Sequence, residues 1–590
     1  MNNAPRCMNF FAQFHLAIQE SLLKNASSLG FPEALDLSKL TLEPPKDLSH
    51  GDISTNAALI LAKQVGLPSP EIAKKLIDLF KDVFPAGAEI AMAGPGFINI
   101  RLPLLFWHER LKLITSHKEN FRPTQLGAGK KVHVEFVSAN PTGPMHTGHT
   151  RNAVLGDALA ATLEAVGYKV HREHYTNDAG GQIDVLARSL YLRYLQECGR
   201  TVPENAFEGM YPGDYLVEIA KKLKALKGDA WLDQDESVYF EELKKIAITE
   251  ILASIKGDLG DLGIVMDEYA SEAALVKSGK VDKALKILEE KGDVYTGVLE
   301  APKGMVVEDF EQREQTLFRS TKYGDSIDRP LKKSDGSWSY FAPDIAYHLD
   351  IFERGFDDMI VVLAADHKGY FTRIKAAVDA VTGGKASIQI RDYELVNFME
   401  NGVAVTMSKR AGTFVTLRDV LERVGKDAIR FIMLTRHHSM VLDFDFAKVL
   451  EQSKDNPVFY VHYAHARICS VMRHAKELFP ELEKSIDAAD VTSLTDEAEL
   501  ALIKVLAQYP RHIELAATHR EPHRIAYYLY DVASHFHSLW NKGKENAKLR
   551  FIDENDAGAT YARLALLSAT ALVIRQGLRI LKIDALEEMR

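Results

Sequence analysis

A strand, a loop and a helix in immediate succession constrain this fold most tightly. Val132 to Val137 reads as an apolar strand, Ser138 to His149 as a loop, and Thr150 to Val166 as a helix closed by Gly167. A second strand is expected at Val170 to Tyr175. Strand, loop, helix, strand is half of a nucleotide-binding α/β fold with its site at the loop. The loop carries Pro144-Met145-His146-Thr147-Gly148-His149. A phosphate bound there meets the unpaired amides and the partial positive charge of a helix N-terminus. His146 and His149, one turn apart, add donors for phosphate oxygens and for the charge that builds on them during displacement. Gly148 has no Cβ, so a flat adenine fits against its backbone. The competing readings are a metal site or two surface histidines. No third and fourth ligand lie near in sequence, so no bound metal is expected.

The second half of the fold is expected from about Trp338. A buried strand lies at Met359 to Leu363, followed by Ala365-Asp366-His367-Lys368-Gly369-Tyr370 and a helix. A short strand at Val403 to Val405 leads into a loop, Thr406-Met407-Ser408-Lys409-Arg410-Ala411-Gly412, and Thr416 with Asp419 has the pattern of a capping box. Lys409 suits the neutralisation of a leaving pyrophosphate. Between the halves, Leu190 to Asp328 reads as mostly amphipathic helix, an insertion.

A chain of 590 residues exceeds one compact core. Three domains are expected: a small α+β domain at 1–122, an α/β catalytic domain at 123–445 with its insertion at about 190–328, and an all-helical domain at 446–590. The net charge of −10, from 72 basic and 82 acidic residues, argues against indiscriminate nucleic-acid binding but leaves room for local basic faces. Cys7, Cys198 and Cys469 are odd in number and far apart, which fits free thiols in a reducing compartment. The longest apolar run, Leu564 to Ile574, is closed by Arg563 and Arg575 and is too short for a membrane span. With no signal peptide evident, the expectation is a soluble, cytoplasmic monomer.

The pair formed by His146-Thr147-Gly148-His149 and the much later Met407-Ser408-Lys409 resembles the signature of class I aminoacyl-tRNA synthetases. The first motif alone is shared with cytidylyltransferases. Six blocks narrow the resemblance to the arginyl family: Val134 to Pro144, Tyr175 to Gln182, Ala364 to Tyr370, Ser408 to Gly412, Gly425 to Phe431, and Tyr460 to Arg467. They run in the family's order over nearly the whole chain.

The resemblance implies activation of L-arginine by ATP, carried as its magnesium complex, and transfer of the arginyl group to the 3′ end of tRNA-Arg. It puts ATP on His146, Gly148, His149, Met407, Ser408 and Lys409, with His146, His149 and Lys409 catalytic. It implies that Glu135, Tyr340 and Asp344 hold the guanidinium, and that Asn140 and His367 hold the α-amino and carboxylate end. A guanidinium needs planar carboxylate partners, which Glu135 and Asp344 supply. The helical tail is implied to read the anticodon through Tyr460, Tyr463, Arg467, Phe536, Trp540 and Met589. Unpaired bases stack on aromatic rings, although helical packing explains such aromatics equally well. The N-terminal domain is implied to touch the outer corner of the transfer RNA through Phe97 and Asn99, for which core and turn roles are the alternative.

Two positions depart from the family. Thr406 stands where the first lysine of the loop motif is usual, and Gly143 stands where some arginyl enzymes carry a compensating lysine. The rival readings are a lysyl or glutamyl/glutaminyl synthetase of the same class, a transfer-RNA-binding paralogue without catalysis, and a nucleotidyltransferase acting on a small metabolite.

Overall fold

The computed structural model describes residues 8–299, 313–405 and 415–589, with the side chains of Leu48, His367 and Lys368 left out. The chain forms two compact units, residues 127–452 and residues 1–126 together with 453–590. The first and last parts of the sequence thus build one body.

In that body the helix Phe10–Leu29 packs on a four-stranded antiparallel sheet in the order Leu42–Glu43, Ile53–Thr55, Phe97–Arg101, Glu89–Ala93. Buried Asn9 caps the helix, accepting from the Ala12 amide at 3.2 Å. It also donates to Glu514 Oε2 of the tail at 2.6 Å. The tail is helical, from Pro457–Leu478 to Ala557–Ile580. The last helix is long and apolar enough to cross a membrane, yet 61% of its apolar window is buried in the protein. Arg563, within it, pairs with buried Glu499 at 3.0 Å.

The other unit is built on β1 (Lys131–Glu135), α1 (Thr147–Ala165), β2 (Lys169–Thr176), α2 (Gly181–Glu197), β3 (Glu268–Ser271), α3 (Phe341–Glu353), β4 (Asp358–Ala364), α4 (Lys368–Thr382) and β5 (Ser387–Tyr393). The strands are all parallel, in the order β5-β4-β1-β2-β3. Strand order reverses between β1 and β4, and in open parallel sheets ligands bind outside the carboxyl ends at such a point.

The insertion needs correcting. Residues 190–328 are not a block apart from the sheet, because β3 lies within them and pairs with β2 from Glu173↔Glu268 to Thr176↔Ser271. The helices Tyr215–Lys227 and Glu236–Asp261 precede it. A three-stranded antiparallel sheet, Val294–Val298, Glu314–Phe318 and Arg329–Pro330, follows it.

α1 is buried on almost every side, as a helix at the centre of a unit must be. Gly156 lets it approach β1, because a Cβ there would fall inside the ring of buried Phe136. Its buried polar groups are paired. Arg151 donates to three carbonyls, Glu394 and Met440 at 2.7 Å and His437 at 3.0 Å. Asp157 meets Arg430 at 2.6 Å and Arg172 at 3.1 Å, all three buried.

Candidate active site

The loop after β1 begins with backbone that few side chains adopt. Val137 and Ser138 have φ of +70° and +40°. For a β-branched residue this is costly, on the order of 1–3 kcal/mol, and it persists only where neighbours dictate it. Asn152 of α1 is one such neighbour. Its Oδ1 accepts from the Val137 amide at 2.6 Å, and its Nδ2 donates to the Val362 carbonyl of β4 at 3.0 Å. Ser138 is the other, donating to Glu135 Oε1 at 2.8 Å and accepting from the Tyr175 amide at 3.2 Å. The ends of β1, β2 and β4 are thus tied together beneath the loop.

The two histidines form the cap of α1. His146 Nδ1 accepts from the Gly148 amide at 3.1 Å, and His149 Nδ1 accepts from the His146 amide at 3.3 Å. This is a capping box built from imidazoles. A neutral ring whose Nδ1 accepts carries its proton on Nε2, so each Nε2 is a donor. The rings stack with centroids 3.9 Å apart. Both line a cleft of about 590 Å³ with Asn140, Thr142 and Pro144. Gly148 has a further use here, since a Cβ would stand 2.8 Å from the His146 ring.

The segment that follows the Met407-Ser408-Lys409 motif is pinned to this cap. The Thr147 amide donates to the Val415 carbonyl at 3.2 Å and the Leu417 amide to the Met145 carbonyl at 2.9 Å. Thr416 and Asp419 make the expected capping box of α5 (Leu417–Val424). Met407, Ser408 and Lys409 lie outside the described residues, as does the side chain of His367, in the turn after β4.

Glu135 closes β1 and is buried. Desolvation pushes its pKa up to about 7, against the hydrogen bond from Ser138. Asp344, in the first turn of α3, is raised well above its ordinary range by burial and by the charges of Glu272 and Glu135. Glu272, just after β3, is raised by burial, and accepts from the Tyr175 hydroxyl at 2.9 Å. All three carboxylates are raised first by desolvation and then by acidic neighbours, which for Asp344 are the other two, so a cation beside them would favour their charged forms. Neither Glu272 nor Tyr175 has a role foreseen in the sequence. Tyr175 stands in one of the motif blocks, whereas Glu272 carries no signal beyond following a capping serine.

Behind Glu135, on the same sheet face, Glu173 takes hydrogen bonds from its neighbours. Burial alone would raise its pKa, but His133, His171 and Arg354 outweigh this and hold it below the usual range. The group His171, Glu173 and Glu268 has the composition of a metal site, but the Arg354 guanidinium stands 2.8 Å from Glu173 and 2.7 Å from Glu268.

The remaining expected residues divide. Asn140 is exposed in the cleft. Tyr340 is the N-cap residue of α3, one turn before Asp344 as the spacing requires, but 59% exposed with Lys333 4.5 Å from its ring. In the tail, the Arg467 guanidinium lies over Tyr463 at 4.0 Å and over Trp540 at 4.7 Å. Tyr460 and Tyr463 pack beside His537. Met589 is half-buried, in a terminal segment held by the bond from His465 to the Leu586 carbonyl at 2.8 Å.

Two expectations are corrected. Phe536 is fully buried between Trp540 and Phe551 and offers no face to a base; it supports the half-buried Trp540. Asn99 is buried in its strand, paired on both sides, while Phe97 stands 41% exposed at the turn.

A parallel sheet whose strand order reverses beside β1, with a cleft at the two-histidine cap of the first crossover helix, fits the catalytic domain of a class I aminoacyl-tRNA synthetase. A methionyl-tRNA synthetase from Mycobacterium tuberculosis shares the fold with a TM-score of 0.52, covering 77% of this chain and 91% of its own, at 11% identity. The model of class I (R) tRNA synthetase catalytic domains matches residues 110–469, that of the arginyl-tRNA synthetase N-terminal domain residues 14–102, and that of the DALR anticodon-binding domain residues 461–589. The arginine–tRNA ligase of Parvibaculum lavamentivorans is 51% identical over 99% of this chain and all of its own length. The Thermus thermophilus arginyl-tRNA synthetase structure shares the fold, with a TM-score of 0.70 over 98% of this chain and all of its own, at 21% identity. The chain belongs to the arginyl-tRNA synthetase family.

Proposed function

We propose that this chain is an arginine–tRNA ligase that joins arginine to tRNA-Arg at the expense of ATP. The feature that supports this specificity is three acids at the ends of neighbouring elements, Glu135 closing β1, Glu272 just after β3 and Asp344 in the first turn of α3, with Asp344 feeling the charge of the other two. A flat cation satisfies several carboxylates at once, which an ammonium does less well. Tyr340 is its proposed aromatic partner. Asn140 and His367 are proposed for the α-amino and carboxylate end.

In the first step an oxygen of the arginine carboxylate attacks the α-phosphorus of ATP, and the bond to pyrophosphate breaks. The Nε2 donors of His146 and His149 and the α1 N-terminus stabilise charge on the phosphate oxygens. Lys409 lies six residues before the anchored Val415, a reach of at most about 20 Å, and is proposed to meet the departing pyrophosphate. Magnesium comes as part of ATP and spreads its phosphate charge; the described lining of the cleft offers it no carboxylate. In the second step a ribose hydroxyl at the 3′ end of the transfer RNA attacks the arginyl carbonyl, and AMP leaves. No protein nucleophile takes part, so positioning and electrostatics supply the rate. The tail is proposed to read the anticodon through the Tyr463–Arg467–Trp540 stack together with Tyr460 and Met589, and Phe97 to meet the outer corner. The free thiols of Cys198 and Cys469 suit a cytoplasmic setting.

The test is charging of total transfer RNA by the purified chain with arginine, lysine, glutamate and glutamine offered separately. Arginine alone is expected to be attached. Charging with lysine or a glutamyl amino acid instead would overturn the reading. The family resemblance also implies that adenylate forms only with transfer RNA present, and pyrophosphate exchange with arginine and ATP alone would overturn that implication.

A further inference from the structure

The cleft has a second wall, facing the histidines and supplied by the segment between α2 and the helix Tyr215–Lys227. Phe207, Met210, Tyr211, Pro212 and Tyr215 line it, and this wall carries no charged side chain among the described residues. It is held in place from behind. The Tyr215 hydroxyl donates to the Thr142 carbonyl at 2.6 Å. The Tyr211 amide donates to the hydroxyl of buried Ser189 at 2.9 Å. Arg193 donates to the Pro212 carbonyl at 3.0 Å and lays its guanidinium 4.5 Å from the Phe207 ring. Gly143 leaves the room that Tyr215 fills, since a Cβ there would stand 3.2 Å from the Tyr215 hydroxyl. Any side chain at 143 would press on the Tyr215 hydroxyl, which would have to give by a few tenths of an ångström.

We infer that this wall is the seat of the 3′-terminal adenosine of the transfer RNA, its base lying on Tyr211 with Met210 and Phe207 beside it. The inference rests on the function proposed above. The reaction brings two adenosines into one cleft. The first, that of ATP, is held with its phosphates at the histidine cap, where the donors are. The second must present a ribose hydroxyl to the arginyl carbonyl from across the cleft. An uncharged face with half-buried aromatic rings accepts a base and not a phosphate. Because the face is braced before any ligand arrives, little ordering opposes stacking.

The experiment uses the full chain with Tyr211→Ala and Tyr211→Phe, and tRNA-Arg with and without its terminal adenosine. In the parent, the complete RNA binds more tightly than the shortened one. Tyr211→Ala is expected to remove about tenfold of that advantage, ~1.4 kcal/mol, and Tyr211→Phe to keep it. The shortened RNA should bind both variants as it binds the parent, which also checks that they fold. The KM for ATP in charging should stay within about twofold. The inference is overturned if Tyr211→Ala raises the KM for ATP and leaves the advantage of the terminal adenosine intact, since the wall then holds the adenine of ATP. It is equally overturned if neither quantity moves. A failure of the underlying function would be read separately, as a parent that does not charge with arginine.

Discussion

Glu135 changes its charge near neutrality, and the sign of that change makes it testable. Its pKa of about 7 means that the ligand-free site is largely protonated at pH 6. A bound guanidinium requires the carboxylate, so binding below pH 7 must release a proton. The KM for arginine is therefore expected to fall as pH rises to about 7, by up to about tenfold per unit, and then to level off. A flat arginine profile, measured with the KM for ATP as control, would contradict this. Glu135→Gln should raise the KM for arginine about 100-fold, the order expected when one partner of a buried charge pair is removed, and should flatten the profile. Stability moves the other way. A carboxylate raised in the folded state contributes stability below its unfolded pKa, and this is lost as pH rises through the folded one. Without ligand above pH 7, the Glu135→Gln variant, permanently neutral at this position, should melt higher than the parent.

At the scale of elements, the α1 cap does two jobs with the same side chains. Nδ1 of each histidine holds the helix start, and Nε2 is the donor to the substrate. His146→Asn separates them, because asparagine caps well but ends short of the Nε2 position. Its melting curve should match the parent while kcat falls by about 10² or more. An unchanged kcat would leave His146 as a structural cap only. Deeper in α1, Asp157→Ala would remove the carboxylate that buried Arg430 and Arg172 share, costing ~3–5 kcal/mol, read as a lowered unfolding transition.

What was legible here was local. β1, the loop and α1 follow from an apolar run, a glycine-rich turn and a helical period, and the helix begins one turn before Thr150 only because the histidines themselves cap it. β3 was not legible. Its four residues are exposed or half-buried and lie among long helices, so neither alternation nor an apolar run announces them. Glu272 and the Phe207–Tyr215 wall escaped for a similar reason, since only tertiary packing gives them neighbours.

At the scale of the molecule, the N-terminal domain and the helical tail share one packed body although most of the chain lies between them. Glu514 accepts from Asn9 at 2.6 Å and from the Thr124 amide at 2.8 Å. Lys504 meets buried Asp52 at 2.6 Å, and His108 bonds to the Leu494 carbonyl at 2.9 Å. Periodicity in the sequence reports helices but not which distant partner buries them. The same limit made Phe536 look like a reader of bases when it is core. If the body is one cooperative unit, Glu514→Ala should lower hydrogen-exchange protection in the helix Phe10–Leu29 and in the tail helices together. Loss confined to the tail would mean two units.

The central claim is that two acids from distant parts of the chain, Glu135 and Asp344, grip the guanidinium. A crystal structure of the full-length protein with arginine and tRNA-Arg tests it most directly. Guanidinium nitrogens within about 3.2 Å of carboxylate oxygens of both residues are predicted. Arginine bound with its guanidinium away from these two carboxylates, or another side chain holding it, would contradict the account.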